Sequence, residues 1–164
     1  MTSSPRPLRG RRLSRAIVLA LAPIIVPQTV KLRRVVPLLP EPPQPWEGGG
    51  GTDPIRLLVI GDSLAVGVGV DDAADGLAGC LAAELTAASG RPVRWRARGR
   101  NGATARDIIL DPLDDALAEP TDVVVISLGA NDSMHIRSHL AFRRDLTRIL
   151  RAVFSAHPEA IVLM

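Results

Sequence analysis

A chain of 164 residues holds one domain with a proper core and excludes a second of similar size. The formal net charge of +3 invites a nucleic-acid reading, but residues 1–34 carry eight basic side chains and no acidic one, and the other 12 basic and all 17 acidic residues fall in 35–164. The part that can fold is therefore mildly acidic, at −5, which suits a phosphate-backbone partner poorly; the lone Cys80 excludes an internal disulfide.

Residues 1–36 read as a leader. Arg6, Arg9, Arg11, Arg12 and Arg15 precede an apolar stretch, 16–26, that is shorter than the ~20 residues needed to span a bilayer and is interrupted by Pro23 and Pro27. Basic-then-apolar order with Ala20-Leu21-Ala22 fits an export signal. Renewed charge at Lys31-Leu32-Arg33-Arg34 fits a peripheral anchor at an anionic membrane face, which is the preferred reading. Membrane association through the leader is thus expected, with export, a cytoplasmic location or an idle tail as alternatives. Residues 37–54 form a linker, stiffened by prolines in its first half and loosened by Gly48–Gly51 in its second.

The folded domain is expected over 55–164, with strand and helix alternating. Ile55–Ile60 is a solid apolar run, a first buried strand. Leu77, Cys80, Leu81 and Leu85 mark one face of a helix stopped by Gly90, with Cys80 a small buried side chain. The second strand, 93–98, alternates Val93, Trp95, Ala97 with Arg94, Arg96, Arg98, which predicts one exposed face and an edge position. A helical segment from Thr104 to about Leu117 is disturbed by Pro112; the third strand, Val123–Leu128, is apolar enough to be covered on both faces. A helix over 138–156 carries Phe142, Leu146, Ile149, Leu150 and Val153 at helical spacing, and Ile161–Met164 starts a fourth strand. This alternation predicts an α/β, flavodoxin-like three-layer fold with a parallel sheet of order 2-1-3-4-5, cut off at the fourth strand.

In that order the loops after the first three strands are neighbours on the carboxyl edge. Each carries a polar signal: Gly61-Asp62-Ser63-Leu64, then Asn101-Gly102-Ala103-Thr104, then Gly129-Ala130-Asn131-Asp132. Singly, Ser63 reads as a helix cap, Gly102 as a turn glycine and Asn131-Asp132 as an Asx turn. Three such tips, in order and each behind its own strand, point to a nucleophile and its oxyanion donors.

These blocks resemble those of the SGNH (GDSL-type) hydrolases, specifically the small lipase and esterase members. The resemblance runs from about Ile55 to the end and covers three of the family's four marker blocks. It implies Ser63 as nucleophile, with the backbone N–H of Ser63 and Gly102 and the amide of Asn131 forming the oxyanion hole. The family's fourth block, Asp-x-x-His, has no counterpart here, so the chain as it stands is expected to turn over little or no substrate.

Asp62 and Asp132 are expected to hold loop backbone. His135 is poorly suited as the base, and His135 and His139 lack a third ligand for zinc. His157 is placed at the far end of its helix, capping carbonyls. No metal and no cofactor are expected. The implied function is ester hydrolysis through an acyl-enzyme on Ser63, by a monomer acting on a small acyl ester. Removal of acetyl groups from carbohydrate and a non-catalytic acyl- or glycan-binding module are the alternatives.

Overall fold

The computed structural model describes residues 39–164 and, within the leader, only Pro23 and Pro27. The anchor and signal readings of residues 1–36 lie outside the described residues. One compact unit runs from Leu39 to Met164.

Five strands form one sheet in the order β1-β3-β2-β4-β5: β1 (Glu47–Gly49), β2 (Ile55–Gly61), β3 (Val93–Gly99), β4 (Val123–Ser127) and β5 (Ile161–Leu163). The pairs β3–β2, β2–β4 and β4–β5 are parallel, as the strand–helix alternation predicts, and β1 runs antiparallel to β3. The helices are α1 (Leu77–Ser89), α2 (Ala105–Leu110), α3 (Leu113–Ala116), α4 (Ala130–Met134) and α5 (His139–Ala156). Gly90 ends α1 with a left-handed φ of 68°. Pro112 divides the expected long helix into α2 and α3.

The pleat sends alternate residues to two cores. Leu57, Val59, Val93, Trp95 and Ala97 pack with α1, while Leu58, Ile60, Val124 and Ile126 pack with α2, α3 and α5. Three layers result.

Four expectations change. The compact unit begins well before Ile55: Trp46 Nε1 donates to the Pro42 carbonyl at 2.9 Å, and β1 arises inside the Pro/Gly-rich segment. Consequently the second predicted strand, β3, is internal rather than an edge. Its arginine face is partly covered too, because Arg96 is buried and pairs with Glu119 at 3.1 Å. Burial lowers the Arg96 pKa, and the Glu119 carboxylate opposes that shift. Cys80 is exposed, its Sγ directed at the Asp75 carbonyl, since α1 meets the sheet through Ala78 and Ala82, with Leu77, Leu81 and Leu85 packed beside them, while Gly79 abuts the turn before the helix. Gly79 is there for a close approach: a Cβ would collide with the Ala74 carbonyl.

Finally, β4 is buried on one face only. Val124 and Ile126 are covered by the α2–α5 layer, whereas Val123 and Val125 are only partly buried, packed at the fringe of the α1 core. With Leu57, Leu81, Leu85 and Leu163 they border a shallow apolar concavity of about 410 Å3.

Candidate active site

Register sets the geometry. Gly61 is level with Gly99 on one side and with Ser127 on the other, so three parallel strands end at the same height. Both glycines are required by crowding: a Cβ on Gly61 would run into the Ser127 carbonyl, and one on Gly99 into the Gly61 carbonyl. The chain then leaves the sheet in three adjacent loops. Asp62 N–H bonds the Ser127 carbonyl (3.1 Å) and Arg100 N–H the Gly61 carbonyl (3.2 Å), lacing the loops together at their base.

Ser63 is half-buried on the first loop, within turns closed by Val66 N–H to the Asp62 carbonyl (3.2 Å) and Val68 N–H to the Ser63 carbonyl (3.0 Å). Asp62, buried beside it, accepts the N–H of Leu64 at 3.2 Å in an Asx turn. Gly102 has φ +75°, and a Cβ there would meet nothing within 4 Å. Its side of the loop is open, so the glycine serves the left-handed backbone rather than a lack of space.

Asn131 lies in the short helix α4, where the sequence had placed a loop. Its Nδ2 donates to the Ala103 carbonyl (3.1 Å) and to Asp62 Oδ2 (3.4 Å). One amide group thus reaches the neighbours of both Gly102 and Ser63. The structure brings Ser63, Gly102 and Asn131 to one rim of the sheet.

Asp132 is buried and accepts the N–H of Ala105 at 2.9 Å, tying the third loop to the start of α2. Its other oxygen has no hydrogen bond but stands 3.2 Å from Arg137 Nη1, a charge contact without hydrogen-bond alignment. Arg137 also donates to Thr104 Oγ1 at 3.1 Å and to Asp145 Oδ2 at 2.5 Å. Burial pushes the Asp145 carboxyl up, yet its bonds from Arg144 and Arg137 outweigh that and leave it below its usual range. Thr104 caps α2 in a capping box with Asp107, whose carboxylate accepts both the N–H (2.9 Å) and the hydroxyl (2.6 Å) of Thr104. Those bonds lower the Asp107 pKa.

Sequence reasoning missed this Arg137–Asp132–Asp145–Thr104 cluster. Thr104-x-x-Asp107 was a readable cap signal; a single arginine in a loop gave none. Missed also were two contacts from the Pro-rich segment: Gly69 N–H to the Pro40 carbonyl (2.9 Å) and Asn101 N–H to Glu41 Oε1 (3.3 Å). That segment therefore straps two of the rim loops.

The histidines stand apart from this cluster in kind. His135 is exposed and ends α4, and His139 opens α5. His157 caps the far end of α5 through its backbone N–H to the Val153 carbonyl (2.7 Å), while its Nε2 is buried with no hydrogen-bond partner. His157 thus caps α5 as expected, through its backbone rather than through Nε2. Among the described residues no group of three or more His, Cys, Asp or Glu side chains is placed to hold a metal ion.

Residues 59–164 match the GDSL-like Lipase/Acylhydrolase family. The chain belongs to that family. Solved structures agree on the fold. A variant of the esterase AlinE4 superposes with a TM-score of 0.60 at 22% identity, covering 69% of this chain and 59% of that one. TesA gives 0.57 at 28% identity, covering 65% and 57%. A variant of Axe2, an acetyl-xylooligosaccharide esterase from Geobacillus Stearmophilus, gives 0.52 at 24%, covering 67% and 58%. The chain therefore spans somewhat under three-fifths of each of those structures. A comparison with curated proteins yields no match.

Proposed function

We propose that this member of the family supplies the nucleophile and oxyanion hole of a serine ester hydrolase. The observation that supports this most is the reach of the Asn131 amide, at 3.1 and 3.4 Å, to residues adjoining Gly102 and Ser63. Ser63 Oγ attacks the ester carbonyl carbon, and the resulting oxyanion takes hydrogen bonds from Ser63 N–H, Gly102 N–H and Asn131 Nδ2. Collapse expels the alcohol and leaves an acyl-serine, which water then hydrolyses. For Asn131 to serve the oxyanion it exchanges its longer bond, the one to Asp62. Asp62 and Asp132 hold the loops through Leu64 N–H and Ala105 N–H.

A serine hydroxyl needs a base within hydrogen-bond reach. None of His135, His139 and His157 fills that role in this reading. An Asp/His pair outside these 164 residues completes the machinery, and the chain by itself turns over little substrate. The substrate is a small acyl ester. An acetylated carbohydrate is the second choice, favoured by the likeness in fold to the acetyl-xylooligosaccharide esterase. A non-catalytic acyl-binding module stands as the alternative if the base is absent from the working protein. The protein acts as a monomer, and the leader, residues 1–34, is a peripheral membrane contact.

The test is p-nitrophenyl acetate hydrolysis by the protein expressed from its full reading frame, beside Ser63→Ala. The variant should lose at least about 10³-fold in kcat. Equal rates would remove Ser63 from the mechanism. Binding of acyl ligands without turnover would favour the module.

A further inference from the structure

Ion pairs engage eight of the twelve arginines in the described residues, from Arg56 near the start of the sheet to Arg144 in α5. The remaining four are Arg106, Arg143, Arg148 and Arg151. All four are exposed, and all lie on α2 or α5, within one layer of the fold. The opposite layer carries the reverse sign: residues 57–90 contain no basic side chain and include Asp71, Asp72, Asp75 and Glu84. On the α2–α5 side the exposed acids Asp111, Asp114 and Asp115 lie on and beside α3, so the cations without an ion pair concentrate on α5.

The cationic face of α5 is apolar as well. Helix α5 buries Asp145, Ile149 and Val153. At 100° per residue the face directly opposite bears Leu140, Arg144, Thr147, Arg151 and Phe154. Leu140 is 57% exposed and Phe154 48%, large apolar side chains set among cations. On α2, Leu110 is 73% exposed, one helical turn beyond Arg106. The only acid in α5 is Asp145, which is buried and held by Arg137 and Arg144, so nothing acidic on this helix offsets the outer face. At the amino end of α5, Met134 and Ile136 (91% exposed) carry the apolar character towards the rim that holds Asn131.

We infer that the outer face of α5, extended by Arg106 and Leu110 of α2, is a docking surface for an anionic lipid bilayer. A nucleic-acid backbone would use the arginines but would leave Leu140 and Phe154 in water. A bilayer uses both, with cations at the headgroups and apolar side chains at the acyl boundary. The helix is about 27 Å long, enough to lie along the interface with its apolar end beside the candidate site. This surface uses none of the leader's residues and is independent of any role for Ser63.

Flotation of the full chain with vesicles of phosphatidylcholine alone, and with 30% phosphatidylserine added, tests the inference. The diagnostic variant is Arg143→Gln, Arg148→Gln and Arg151→Gln combined, which leaves the Arg144–Asp145 pair intact. Each removed cation is expected to weaken partitioning into the anionic vesicles about fivefold, roughly 100-fold in all. The thermal midpoint should not move, because none of the three side chains has an ion pair to lose. Leu140→Gln with Phe154→Gln should weaken it further. A chain with Arg6, Arg9, Arg11, Arg12 and Arg15 changed to Gln controls for the leader and should retain sensitivity to the α5 changes. Unchanged partitioning of the α5 variant, equal binding to both vesicle types, or tighter α5-dependent binding to duplex DNA than to vesicles would each overturn the inference. Ester hydrolysis in solution is read separately, so either idea can fail alone.

Discussion

Arginine–carboxylate pairs occur at both rims of the sheet, and they do different work. At the carboxyl rim Arg137 and Asp132 are 18% and 4% exposed; at the amino rim Arg56 and Asp122 are 45% and 40% exposed. The inner pair sits behind the loops of Gly102 and Asn131 and shares its arginine with Asp145 and Thr104. The outer pair is bidentate, with Arg56 Nε to Asp122 Oδ2 at 2.9 Å, yet water screens it. A buried pair holds its surroundings in place because losing one partner strands the other; an exposed pair strands nothing. The rim that carries the candidate chemistry is the one with the buried pair.

The largest effect is expected from Arg137→Ala. It leaves Asp132 buried without its cation and Asp145 with Arg144 alone, and should cost about 3 kcal/mol in denaturant unfolding. A cost under about 1 kcal/mol would erase the contrast between the rims. The same cluster has a pH signature. Asp145 and Asp107 are held below the ordinary carboxylate value of 3.8, so the folded state resists protonating them. Their contribution is present above that value and is lost as pH falls through the lowered pKa values. Arg137→Ala should flatten the acid limb of the stability curve, and a limb unchanged in shape would remove Arg137 as the cause.

Gly102→Ala comes next. Open space at the site rules out a clash, and φ +75° charges an L-residue about 1 kcal/mol. A neutral substitution would mean the loop turns without strain. Smallest of the three, Asp122→Asn at the amino rim should cost below about 1 kcal/mol, and less still in high salt. A loss matching that of Arg137→Ala would show burial to be irrelevant.

Much of this architecture was legible because its signals are local. Ile55–Ile60 and Val123–Ser127 are apolar enough to be strands in any context, Gly90 stops a helix by its backbone freedom, and Pro112 cannot continue one. Parallel pairing then forces the three polar tips onto one edge, so their meeting could be read before any coordinates. What stayed hidden depends on partners distant in sequence. Glu47–Gly49 has no strand propensity and becomes β1 only because the backbone of β3 is there to pair with it. Arg96 alternates like a solvent-facing residue, and its burial depends on Glu119 and Thr121, more than twenty positions on. Cys80 shares its helical period with the leucines, but α1 turns its small residues to the sheet. Arg137 carries no signal until Asp132 and Asp145 close around it.

The central claim is that Ser63 and Asn131 act on one reacting carbonyl. Labelling with a serine-directed fluorophosphonate, in the protein from its full reading frame, tests it most directly, with the adduct mapped by peptide mass spectrometry. The account predicts a single adduct on Ser63, formed about 100-fold more slowly in Asn131→Ala with the fold intact. An adduct at another residue, or a rate indifferent to Asn131, would contradict it.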